Sequence, residues 1–150
     1  MMDIVIQLIA GMLGSLGFAL LFGLRKQYLA SAALGGFISW GLYLIGMNIF
    51  GKIFLACLLA SAFSALYSEI IARLQKAPTT LFFITSVVPL IPGSTLYYTC
   101  SNAVVHDWEN AKYFGIRTLQ YALAIAAGSC IVWSITIIIE NVKKRKAVKK

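Results

Sequence analysis

Five long stretches without a charged side chain divide this sequence, and they leave it few ways to fold. They run over 4–24, 27–51, 53–68, 77–105 and 118–139. Crossing a hydrocarbon core of roughly 30 Å takes about 20 mostly apolar residues in a helix. Four stretches reach that length, and the third, 53–68, does so if Glu69 is admitted near its end. With 60% hydrophobic and 12% charged residues, a chain of this size cannot hide its apolar surface in a soluble core. The expected fold is an all-α polytopic integral membrane protein with about five transmembrane helices, over 4–23, 28–49, 53–74, 79–100 and 116–140. Residues 1–142 then form the membrane domain and 143–150 a basic cytoplasmic tail.

The charges between the spans predict an orientation. The net charge of +8 is concentrated at the C-terminus, in Lys143, Lys144, Arg145, Lys146, Lys149 and Lys150. If that tail is cytoplasmic, Arg25, Lys26, Arg73 and Lys76 join it, while only Lys52, Lys112 and Arg117 face out. Every loop then alternates correctly, which predicts an outer N-terminus and a cytoplasmic C-terminus. The tail also suits anionic lipid headgroups. Met1-Met2-Asp3 carries no positive n-region and the first apolar run is long enough to span, so it is read as a helix and not as a cleaved signal.

The fourth stretch is interrupted where a spanning helix should have its middle. Pro89-Leu90-Ile91-Pro92-Gly93 places two prolines three apart, each lacking the N–H that would bond one turn back. Counted from Thr79, Pro89 lies about 15 Å in, half the thickness of the core. Backbone groups freed in hydrocarbon are tolerated only against protein or a water-filled cavity. Gly93, Ser94 and Thr95 can then open a second half-helix whose uncapped amides and dipole suit a carboxylate. Pro89 and Pro92 make the break, and Tyr97 with Tyr98 can close over a small solute.

Other residues carry weaker signals. Glu69 and Arg73 lie four apart on one helix face and can pair, either as a coupling or gating couple or as simple charge compensation near a helix end. The polar loop from Ser101 to Tyr113, with His106, Asp107, Trp108 and Glu109, has no accepted metal-ligand spacing and reads as a wet outer loop. Cys57, Cys100 and Cys130 are scattered through apolar segments and read as small hydrophobes. No nucleophile–base pair, phosphate loop or metal triad stands within a span, so the expectation is that the chain is not an enzyme. Small residues crowd the faces of several helices: Gly11, Gly14 and Gly17 in the first, Gly35, Gly36 and Gly41 in the second, Ala126, Ala127 and Gly128 in the last. Such faces predict close helix packing, and one layer of five helices cannot hide them all.

Taken in order, Phe22-Gly23 with Arg25, Leu34-Gly35-Gly36, Glu69 with Ala72-Arg73, Ala77-Pro78 and Val88-Pro89-Leu90-Ile91-Pro92-Gly93 with Tyr97 resemble the threonine/serine exporter family. The match is to its small subunit, equivalent to the C-terminal membrane half of the fused exporters. The most specific part is P-L-I-P-G with a tyrosine four residues after Gly93.

The resemblance implies a two-component, gradient-driven exporter of small carboxylate metabolites: threonine and serine, and dicarboxylates such as succinate in some members. It implies a larger membrane partner, a proton or ion gradient in place of a cofactor, residence in the cytoplasmic membrane, and room for a higher oligomer. In that reading Pro89, Pro92, Gly93, Ser94, Thr95 and Tyr97 bind or gate the solute, while Glu69 and Arg73 serve coupling or the cytoplasmic gate. Two alternatives stay open: a non-transporting scaffold whose partner holds the site, and a passive channel.

Overall fold

The computed structural model describes residues 2–148, with 143, 144 and 146–148 described by backbone alone. Six helices follow one another: α1 (Met2–Leu21), α2 (Lys26–Phe50), α3 (Ile53–Gln75), α4 (Thr79–Val87), α5 (Gly93–Val104) and α6 (Trp108–Val148). A 3₁₀ turn, Val88–Leu90, stands between α4 and α5. Among the described residues α1, α2, α3 and α6 are each long and apolar enough to cross a membrane. The segments Thr79–Leu90 and Gly93–Val104 together make a fifth span, bent by 57°. The fold is therefore an all-α polytopic membrane bundle, broken where the prolines predict.

The turns explain themselves locally. Gly51 ends α2 in the left-handed region at φ +60°, and its amide bonds the Met47 carbonyl. Lys76 takes the same conformation at φ +50°, which costs a side-chain-bearing residue some strain, and Pro78 then forbids continuation of α3. At the start of α6 the Asp107 carboxylate accepts from the backbone and side-chain amides of Asn110, at 3.3 and 2.8 Å. Those bonds hold its carboxyl below the usual carboxylate range.

The two ends of α6 each correct an expectation. The segment 101–113 is not a loop: α5 runs to Val104, α6 begins at Trp108, and only 105–107 connect them. Asp107 supplies the helix start, and α6 extends eight residues further N-terminal than 116. At its other end α6 continues beyond 140 to Val148, so the backbone of 143–148 is helical and continuous with the span. Lys149 and Lys150 of the expected tail lie outside the described residues, as do the side chains of Lys143, Lys144 and Lys146.

α3 is the hub, packed against α2, α4 and α6, while α1 packs mainly on α2. Small residues bring the helices together. Ala56, Ala60, Ser61, Ser64, Ala65, Ser68 and Ala72 of α3 are all buried. A methyl group added at Gly46 of α2 would fall 2.9 Å from the Ala56 Cα, and one at Gly128 of α6 would fall 2.6 Å from the Leu58 carbonyl oxygen. At that range hydroxyls bond across helices: Ser39 Oγ to Ser64 Oγ at 2.7 Å, Ser61 Oγ to the Ala124 carbonyl at 3.1 Å, Tyr67 Oη to the Ser31 carbonyl at 2.7 Å.

This packing yields a stability prediction. Overfilling a tight contact costs about 1–3 kcal/mol, so Gly128→Val and Gly46→Val should each lower the thermal unfolding midpoint of the purified protein. Ala126→Val, on the exposed face of α6, should leave it unchanged. Equal midpoints for all three would mean that the bundle does not depend on these contacts.

Candidate functional site

The break is closed on one side and open on the other. Its upstream half is packed: the 3₁₀ turn touches α1, α2 and α3, and Leu90 is 1% exposed in a core with Val87, Tyr43, Ala56, Cys57 and Ala60. Inside this half the freed backbone is partly satisfied, the Ile91 amide bonding the Val88 carbonyl at 3.1 Å. Proline rings at 89 and 92 explain why no regular helix crosses.

Downstream the situation reverses. α5 buries none of its residues and leans mainly on α6, through a Thr118–Thr95 hydroxyl bond of 2.9 Å and ring contact between Tyr98 and Phe114 at 5.2 Å. A Cβ added at Gly93 would meet nothing within 4 Å. Gly93 and Ser94 are exposed, and Tyr97 is 66% exposed with its ring 5.5 Å from that of Tyr98.

The half-helix start differs in detail from the expectation. The Gly93 amide bonds the Ile91 carbonyl at 2.8 Å, so it is already occupied. The first regular bond of α5 comes from the Leu96 amide to the Pro92 carbonyl, and no side chain caps this end. The amides of Ser94 and Thr95 thus have no backbone acceptor among the described residues. The Thr95 hydroxyl donates to the Pro92 carbonyl at 3.2 Å and accepts from Thr118, so it faces the α5–α6 seam. Ser94 and Tyr97 are the two expected side chains that stand free to meet a solute.

A recess of about 260 Å³ on the other flank of Pro89 is lined by Gln7, Ala10, Gly11 and Trp40. The Trp40 indole N–H is buried there without a partner among the described residues. Buried donors of this kind are uncommon and costly.

Glu69 and Arg73 meet as their spacing predicts, Arg73 Nη2 to Glu69 Oε2 at 3.2 Å, and a third residue joins them. The same nitrogen donates to Glu140 Oε1 of α6 at 2.7 Å, tying the ends of α3 and α6. Nε and Nη1 of Arg73 have no side-chain partner among the described residues, which leaves one edge of the fork for a further acceptor. Glu69 and Glu140 line a groove of about 320 Å³ with Thr79, Thr80, Trp133, Thr136 and Ile137. Trp133 of this lining packs edge-on against Phe83 of α4, ring centroids 4.8 Å apart.

This groove contains none of the break residues, so the structure keeps the two expected groups apart. Sequence reasoning missed Glu140. The signal was available: Arg73 closes the third span and Glu140 the fifth, two spans that run parallel and both end on the side of the basic tail. Among the described residues no three His, Cys, Asp or Glu side chains gather as a metal site would need.

Comparison with known proteins agrees with the architecture. Compared with curated proteins and with solved structures, the chain shows no significant match to either. A family model described as "Threonine/Serine exporter, ThrE" matches residues 7–135, from the first helix past the broken span and into α6. The chain belongs to the threonine/serine exporter family.

Proposed function

We propose that this chain is the small subunit of a two-component, gradient-driven exporter of small carboxylate metabolites, threonine and serine among them and dicarboxylates such as succinate as further candidates. The observation that carries the reading is the one-sided break. Uncapped amides at Ser94 and Thr95 and the dipole of α5 offer a carboxylate a partial positive charge, yet nothing of this chain covers Gly93. An end like that needs another surface to exclude lipid from it, and a larger membrane subunit would supply one. The positive-inside count supports an outer N-terminus and a cytoplasmic C-terminus in the cytoplasmic membrane, which puts the Glu69–Arg73–Glu140 cluster at the inner mouth.

In this reading the solute's carboxylate meets the start of α5, and Tyr97 lines the approach. Arg73, with an unoccupied edge, offers a solute a cation at the inner mouth, and together with Glu69 and Glu140 it serves coupling or the cytoplasmic gate. The cluster contributes little to folding. With Arg73 55%, Glu69 19% and Glu140 50% exposed, pairs of this kind contribute about 0.2–1 kcal/mol. Loss of export on neutralising one of them therefore reports on transport.

Three measurements test the proposal. Efflux of preloaded threonine, serine and succinate should require this chain together with a larger subunit of the family; equal efflux with and without the larger subunit would refute the two-part reading. A Cβ at Gly93 meets no atom within 4 Å, so Gly93→Leu should reach the membrane at the wild-type level and unfold at the wild-type temperature while abolishing export. Retained export would remove the start of α5 from the site. Glu69→Gln and Glu140→Gln should reduce gradient-driven efflux with unchanged thermal midpoints, whereas a passive channel would keep its downhill flux in both variants.

A further inference from the structure

A second groove, at the opposite end of the bundle from Glu69 and Glu140, has the opposite charge. It has a volume of about 430 Å³ and is walled by Gly51, Lys52, Ile53 and Phe54 at the α2–α3 turn and by Tyr113, Ile116, Arg117 and Gln120 of α6. The left-handed Gly51 turns the chain so sharply that Lys52 becomes the residue preceding α3. A lysine cannot accept hydrogen bonds, so the first amides of α3 carry no side-chain cap beside the ammonium group. Across the groove the Arg117 guanidinium carbon stands 4.5 Å from the Tyr113 ring centroid, a cation–π contact that holds the fork over one wall.

No acid balances these cations. Of the chain's five acidic residues, Glu69 and Glu140 belong to the cluster at the tail end and Asp107 caps α6. Asp3 and Glu109 are exposed on α1 and at the start of α6, and neither lines the groove. Among the described residues neither Lys52 nor Arg117 forms an ion pair, and surface arginines and lysines that converge from two elements without a counter-charge leave an anion's worth of field unsatisfied.

We propose that this groove is an oxyanion site, taking a carboxylate or phosphate group between Arg117 and Lys52, with Gln120 donating an amide N–H. Arg117 supplies the planar fork and Lys52 the point charge. The anion has two sources. It is either the phosphate of an anionic phospholipid headgroup, since the groove sits at the end of two spans where headgroups lie, or the carboxylate of a solute on the face that the charge count makes the outer one. The lipid source is independent of the exporter reading; the solute source rests on it.

The test is thermal stabilisation of the purified full chain against two sets of probes. One set is vesicles of phosphatidylglycerol against vesicles of phosphatidylcholine; the other is succinate and inorganic phosphate titrated in neutral detergent. At least one anionic probe should stabilise the wild type. Lys52→Gln and Arg117→Gln should each raise the concentration needed about fivefold, the effect of one cation near a membrane surface.

Arg117→Lys should fall between, and Lys112→Gln, whose exposed side chain lies outside the groove, should behave as wild type. Stabilisation by phosphatidylglycerol alone assigns the site to lipid, and stabilisation by succinate or phosphate assigns it to a solute. If Arg117→Gln does not fold, Lys52→Gln decides alone. Wild-type responses to every probe from Lys52→Gln and Arg117→Gln, or no preference of the wild type for anionic over neutral probes, would overturn the proposal.

Discussion

In hydrocarbon there is no water to accept a hydrogen bond, and that constraint governs this structure more than any single contact. Four spans meet it by being unbroken helices. The fifth cannot, because Pro89 and Pro92 have no amide hydrogens to give. The bundle answers on one side by wrapping the 3₁₀ turn in α1, α2 and α3 and seating Leu90 in the core. On the other side it gives no such answer: the amides of Ser94 and Thr95 have no acceptor among the described residues. The proposed carboxylate site lies where the hydrogen-bonding rule is left incomplete.

Closing the packed side depends on how little side chain the helices carry. Between helices in a membrane, lipid competes with side chains on equal terms, so close backbone approach and cross-helix hydroxyl bonds must hold the bundle. Gly46 against Ala56 and Gly128 against Leu58 allow that approach, and the Ser39–Ser64 and Ser61–Ala124 bonds follow from it. α3 carries small residues around so much of its surface that it serves three neighbours at once. Not all glycines do this: a methyl at Gly14 or Gly17 of α1 would meet nothing within 4 Å, as at Gly93. Their faces are small without being packed in this chain.

Much of this could be read from the sequence, because charge and proline act over a few residues. The gaps between charges located the spans, P-L-I-P-G located the break, and the spacing of Glu69 and Arg73 gave their pairing. What escaped depends on residues far apart in the chain. Glu140 joins Arg73 only because α6 runs beside α3. Thr95 is turned away from the open side by Thr118. The Gly93 amide, expected to be open, is occupied by the Ile91 carbonyl through a local turn that proline spacing alone does not specify. The segment 101–113 looked like a loop from its polarity, and the Asp107 cap converts most of it to helix.

The support of α5 has a mechanical meaning. By covalent connection α5 belongs to α4, but by contact it belongs to α6, while α4 leans on α2 and α3, so the two halves of the broken span rest on different helices. Ile91 and Pro92 join them as a coupling link and not as a strut. α6 is in turn the helix most extensively packed on α3, so the hub that holds α4 directly holds α5 through α6. Arg73, held to Glu69 on α3 and to Glu140 on α6, ties those same two helices at the other end of the bundle.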